Sequence, residues 1–153
     1  MTTNAAASAP NLEHYCRLER MYHAAPINAF YSPTIRISRA EAEITVEVKP
    51  EFFHAANAVH GSVYFKMLDD ASFFAVNSLV EDHFVLTASY TTYLLRPVSH
   101  GHMKAMGRVV YAGAKSFVAE SVVLNSDGEE IARGSGNFVV SRIRLSPEMG
   151  YRM

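Results

Sequence analysis

The chain has 153 residues, of which 49% are hydrophobic and 19% charged, with a formal net charge of −1 at pH 7. That balance excludes the basic surface of a nucleic-acid binder and the acidic excess of a solvating tail, and the length suits one domain with a real core. Cys16 is the single cysteine, so no disulfide can form within the chain, which fits a reducing compartment. The opening "MTTNAAASAPNLEHYC" lacks the basic start and apolar run of a secretory signal. The longest apolar run, Ala71 to Val80, falls short of the roughly 20 residues a membrane helix needs. The expectation is a soluble, cytoplasmic protein with neither nucleic acid nor membrane as a partner.

Taken in chain order, residues Pro10 to Ala25 predict a short amphipathic helix, with Leu12, Tyr15, Leu18 and Tyr22 at helical spacing. The prolines of "APINAFYSP" mark a linker. In "EAEITVEVKP", Ala42, Ile44, Val46 and Val48 alternate with polar residues, the period of a half-buried strand that Pro50 stops. From Val63 to Val80 apolar residues fall on nearly every face, as in a helix buried on most sides, and Gly61 and Ser62 suit its start. Four strand patterns follow: "FVLTASYTTYLL", "HMKAMGRVVYAG", "KSFVAESVVLN" and "EEIARGSGNFVVSRIRL", the last two joined by an Asp127-Gly128 hairpin signal. Ala132, Gly134 and Gly136 share one strand face, leaving room for a helix to lie close. One buried helix and an antiparallel meander predict an α+β protein whose sheet curls around that helix.

Two aspartates interrupt the helix. Lys66, Asp70, Asn77 and Glu81 share one stripe, so Asp70 reads as part of a solvated edge paired with Lys66. Asp69 lies about 100° around the helix from it. It either reaches back to Lys66 at the surface or faces a cleft, desolvated, as a general base or nucleophile does. The N–H groups of the first turn, at Gly61 and Ser62, suit an anion or a polarised carbonyl oxygen. An oxyanion site and a carboxylate on one helix suit acyl transfer.

The stretch "VHGSVYFKMLDDASFFAVNS" resembles the His-Gly-Gly segment of hotdog-fold acyl-CoA thioesterases of the phenylacetate-degradation type, in which an Asp follows the His by nine positions, as Asp69 follows His60. "LTASYTTYLLRP" and the run from Gly107 to Val140 resemble the later strands of that family. The resemblance implies a hotdog domain over residues 33–145, between an N-terminal helical segment and linker (1–32) and a C-terminal tail (146–153). It implies an acyl-CoA substrate, no cofactor, and a dimer or dimer of dimers with the site at a subunit interface. There Gly61 would polarise the thioester carbonyl, Asp69 of the other chain would activate water or attack, His60 would orient the site and Thr87 would assist. Ser62 stands for the motif's second glycine, and His54 stands where the family has an Asn, with Asn57 nearby. These three, with Ser89, Lys115 and Ser116, are the expected substrate contacts, the last two toward the coenzyme A nucleotide; Arg96 and Arg108 could grip phosphates.

Other readings are a hotdog hydratase or dehydratase recruiting His54 or His60, and a non-catalytic acyl-CoA-binding module. His100-Gly101-His102 lacks the further ligands a metal site requires, so no metal is expected. Cys16 reads as a packed thiol. Tyr64, Phe65, Phe73, Phe74, Tyr90 and Tyr93 read as core or interface residues first and as acyl-pocket walls second.

Overall fold

A computed structural model describes residues 11–153; the Ala/Ser-rich start lies outside them. In chain order the elements are α1 (Leu12–Ala24), α2 (Asn28–Tyr31), β1 (Thr34–Ser38), β2 (Glu41–Glu47), α3 (Gly61–Asn77), β3 (His83–Leu94), β4 (His102–Ala112), β5 (Ser116–Leu124) and β6 (Glu130–Arg144). The six strands form one antiparallel sheet in the order β1-β2-β4-β5-β6-β3. Helix α3 touches every strand, so the sheet wraps it, as the sequence led us to expect. Among the described residues no helix is long and apolar enough to cross a membrane.

The core follows from alternation meeting helical period. Ile44, Met103, Ala105, Val123 and Ile131 point inward from four strands onto Met67, Leu68, Ala71 and Ala75 of α3, all essentially buried. Each large side chain removed from water there contributes about 1.5–3 kcal/mol. Helix and sheet come close at Gly107 of β4, where a Cβ would lie 2.3 Å from the Ala71 carbonyl oxygen. This corrects the expectation for β6. The room left by Gly134 and Gly136 holds the Tyr90 ring, whose carbons would lie 2.5 and 2.4 Å from their Cβ atoms.

Helix α1 packs on the other side of α3 through Tyr15, Leu18, Met21 and Tyr22. Here the solvated-edge reading of Asp70 fails. Its carboxylate accepts from Lys66 Nζ at 2.5 Å and from the Tyr22 hydroxyl at 2.9 Å, and its side chain is only 17% exposed. Burial pushes the Asp70 carboxyl up, while Lys66 and Tyr22 pull it back down. Asn77, assigned to the same wet stripe, is fully buried. It donates to the carbonyls of Val80 and His83 and accepts from the Val85 N–H, which shapes the turn from α3 into β3. The buried His14 of α1 sits beneath that turn, its Nε2 2.8 Å from the Asn77 carbonyl oxygen and its Nδ1 2.7 Å from the Tyr151 hydroxyl. Cys16, expected to pack, is exposed on the far face of α1.

Strand β1 was not expected from the sequence; its five residues follow the linker and bury only Ile35 and Ile37. The close approach at Gly107 sets a test of the packing. Gly107→Ala would drive a methyl into the α3 backbone and is expected to destabilise the protein by about 1–3 kcal/mol, read from the urea midpoint.

Candidate active site

Helix α3 begins where the chain leaves an extended segment, with His60 as N-cap at φ −64° and ψ 143°. His60 Nδ1 accepts the Ser62 N–H at 3.0 Å and lies 2.8 Å from Ser62 Oγ. The Ser62 N–H, expected to face a carbonyl, is therefore occupied by its own cap. Among the described residues nothing accepts the Gly61 N–H, which leaves it as the donor the helix start offers. A Cβ at Gly61 would meet the Leu94 side chain at 2.9 Å. The space around Gly61 is a cleft of about 300 Å³ lined by His54, Val59, Tyr64, Leu94, Leu95, Arg96 and Pro97.

Asp69 is eight residues further along α3, about 12 Å by helical rise. It faces β3, where the Thr87 hydroxyl donates to Asp69 Oδ1 at 2.8 Å. The side-chain bond to Lys66 goes instead to Asp70. Burial raises the Asp69 carboxyl above its ordinary value; the Thr87 bond and Lys66 lower it and the Asp70 charge raises it further. A carboxylate whose pKa is raised by burial is a stronger base than one in water.

A second groove, about 950 Å³, is lined by Arg36, Glu43, Arg108 and Glu120 among others. Neither cavity includes Asp69 or Thr87. They lie instead beside the outer edge of β3, the last strand of the sheet.

Residues 56–132 match the family model of the thioesterase superfamily. That segment holds the helix start, Asp69 and Thr87. The chain belongs to the thioesterase superfamily. Its fold is shared with the Escherichia coli PaaI protein from the phenylacetic acid degradation operon, at TM-score 0.81 and 18% identity over 88% of this chain and 98% of that one. A thioesterase family protein from Silicibacter pomeroyi superposes at TM-score 0.75 and 24% identity, over 82% of this chain and 97% of that one. A Haemophilus influenzae thioesterase does so at 0.73 and 15%, over 80% and 87%. No curated protein matches the sequence. The fold is thus the hotdog, and superfamily membership supports thioester hydrolysis as its chemistry.

In this thioesterase-superfamily chain the structure brings some of the expected site residues together. His54 joins the Gly61 cleft, its Nδ1 accepting the Ala56 N–H at 3.1 Å. Asn57 does not; it occupies a left-handed turn at φ 61°, a conformation Asn tolerates. Ser89 would share the face of Thr87 in a regular strand, but the register shifts between them and Ser89 is exposed. Lys115 sits in the β4–β5 turn and Ser116 opens β5. Ser116 pairs with Val139, which pairs with Leu86 beside Thr87, so the turn stands two strand spacings, about 10 Å, from the Asp69 end of β3. Arg96 and Arg108 are held by Glu129 and Glu120. His102 contacts Ser126. Tyr64 and Phe74 are core, Phe73 and Tyr90 half-buried, and Phe65 and Tyr93 exposed.

The sequence reading missed the apolar wall of Leu94, Leu95 and Pro97; their run at the end of a strand pattern was its only signal. The Thr87 contact sets a direct test. Thr87→Val removes a bond that favours the anion, so the Asp69 carboxyl should titrate at higher pH than in wild type, followed by carboxylate carbon NMR.

Proposed function

We propose that this chain hydrolyses acyl-CoA thioesters, with Asp69 as general base or nucleophile and the Gly61 N–H as the donor that polarises the thioester carbonyl. The observation that carries the reading is the Asp69 carboxylate, held by Thr87 in partly desolvated surroundings on the helix that also presents the free Gly61 N–H. In the general-base form, Asp69 takes a proton from water as its oxygen bonds the carbonyl carbon. The tetrahedral oxyanion is held by Gly61, and its collapse breaks the carbon–sulfur bond to release acid and thiol. In the nucleophilic form the carboxylate itself bonds that carbon, the adduct expels the thiolate as the carbon–sulfur bond breaks, and water then cleaves the resulting mixed anhydride to the acid and free Asp69.

Asp69 and Gly61 of one chain are too far apart to touch one carbonyl, since each contact needs about 3 Å and the helix separates them by about 12 Å. The two therefore act from different copies of the chain. Strand β3 supports this. Among the described residues it pairs only with β6, and the other edge of this 12-residue strand carries no partner, with Leu86 44% and Leu94 54% exposed, an edge that invites another strand. A dimer joined there, alone or doubled, would carry Thr87 and Asp69 to its seam. The Gly61 cleft, with its Leu94, Leu95, Pro97 and Tyr64 lining, would take an apolar acyl group, and the turn at Lys115 and Ser116 would meet the coenzyme A nucleotide in the cytoplasm.

The hydratase reading finds no support in the histidines. His60 Nδ1 caps the helix and His54 Nδ1 holds its own loop, and neither has a carboxylate partner among the described residues.

Thiol release from aryl, short-chain and medium-chain acyl-CoAs tests the proposal. Wild type should turn over at least one class, and Asp69→Asn should fall by about a thousandfold or more. Because burial raises the folded pKa of Asp69, the folded state holds the proton more tightly than the unfolded chain. Stability is then lost as pH rises through that raised value, so Asp69→Asn should melt no lower than wild type at neutral pH. Asp70→Asn should do the reverse, keeping turnover while melting lower, because it leaves Lys66 poorly paired. Equal turnover by wild type and Asp69→Asn would contradict the proposal.

A further inference from the structure

Thr87 and Tyr90 are three residues apart, so a regular strand would point them to opposite faces of the sheet. Both point to α3: Thr87 donates to Asp69, and the Tyr90 hydroxyl reaches the helix backbone at Leu68. The cause is the register shift between Thr87 and Ser89, where β3 carries a residue that β6 does not match. Such a bulge re-aims the side chains beyond it.

Beyond the bulge, Tyr90 enters a polar cluster that is otherwise out of place under a buried helix. Ser121 Oγ donates to the Leu68 carbonyl oxygen at 2.8 Å. The Tyr90 hydroxyl is 2.7 Å from Ser121 Oγ and 3.1 Å from the same carbonyl oxygen. Ser72 Oγ lies 3.0 Å from the Tyr90 hydroxyl and 3.2 Å from Ser121 Oγ. Each hydroxyl has one proton. The shortest contacts therefore form one path, from Ser72 to Tyr90 to Ser121 to the Leu68 carbonyl, with every proton used. Burial keeps the Tyr90 phenol above its ordinary value, so it remains a donor across the working range of pH. Gly134 and Gly136 leave the space its ring occupies.

The Leu68 carbonyl belongs to the peptide unit that carries the Asp69 nitrogen. We propose that Tyr90 and Ser121 are positioning residues for Asp69, fixing the Leu68–Asp69 peptide from the sheet while Thr87, aimed by the same bulge, fixes the carboxylate. The proposal rests on the reading of Asp69 as the working carboxylate. Strand β3 thus holds the Asp69 carboxylate directly through Thr87 and its backbone indirectly, through Tyr90 donating to the Ser121 hydroxyl of β5 that meets the Leu68 carbonyl, and the bulge turns both β3 side chains toward α3. Ser72 feeds the path from behind and does not touch the carbonyl.

The test compares Tyr90→Phe, Ser121→Ala and Ser72→Ala in the full chain, on the acyl-CoA that wild type turns over best, with Asp69→Asn alongside. All three remove a buried hydroxyl, so a merely structural role would lower melting temperature alike and leave kcat alone below it. Positioning predicts that Tyr90→Phe and Ser121→Ala lower kcat by about ten- to a hundredfold, with KM within about twofold, while Ser72→Ala keeps kcat near wild type. If Tyr90→Phe does not fold, Ser121→Ala alone decides, since it removes the nearer donor to the carbonyl. Wild-type kcat in folded Tyr90→Phe and Ser121→Ala, with Asp69→Asn inactive, would overturn the positioning role and leave the catalytic reading intact. Full activity in Asp69→Asn would remove the catalytic reading and this inference with it.

Discussion

A helix wrapped by a sheet has almost no wet face, so every polar group on α3 must be met by a particular partner from a particular element. Asp69 is met by Thr87 of β3, Asp70 by Tyr22 of α1 and by Lys66, Ser72 by Tyr90 and Ser121, and Asn77 by the turn it shapes. An unmet buried polar group costs about 1–3 kcal/mol. These bonds therefore fix the rotation of the helix against the sheet more sharply than its many apolar contacts do. That rotation aims one aspartate at the edge of the sheet and the other into the α1 interface.

The two adjacent carboxylates thus have different surroundings. Asp70 is closed off, neutralised by an ammonium that also lies over the Tyr22 and Tyr31 rings, and holds α1 to α3. Asp69 is half-buried, and among the described residues its carboxylate has one side-chain partner, the neutral Thr87 hydroxyl. A carboxylate satisfied by a lysine is poorly suited to take a proton. Burial raises both carboxyls, so what sets Asp69 apart is that a neutral hydroxyl holds it in place of an ammonium. Their separation by about 100° of helix is what allows two such environments on successive residues.

Much of this was legible in the sequence. The period of α3, the alternation of β2 and the hairpin at Asp127-Gly128 set the α+β class, and the wheel separated Asp69 from Asp70. The fate of Asp70 was not legible, because a Lys–Asp pair four residues apart looks the same on a wet helix as under a neighbouring one. Only Tyr22, 48 residues upstream, decides it. The bulge in β3 was hidden for a similar reason. Register is set between strands, so nothing in "LTASYTTYLL" says that Ser89 turns outward and Tyr90 inward. Gly107 was passed over in favour of Gly134 and Gly136 because spacing marks a small-residue stripe but does not say whether a helix or an aromatic ring fills it.

The central claim is that one active site is built from two copies of the chain, Asp69 from one and the Gly61 N–H from the other. Co-expressing Asp69→Asn and Gly61→Val chains under different tags, and isolating the hybrid, tests it most directly. Each parent variant alone should be inactive. A two-fold hybrid restores one intact site of its two, so it should recover about half of wild-type activity. A hybrid no more active than its parents would contradict the shared site and place the chemistry within a single chain.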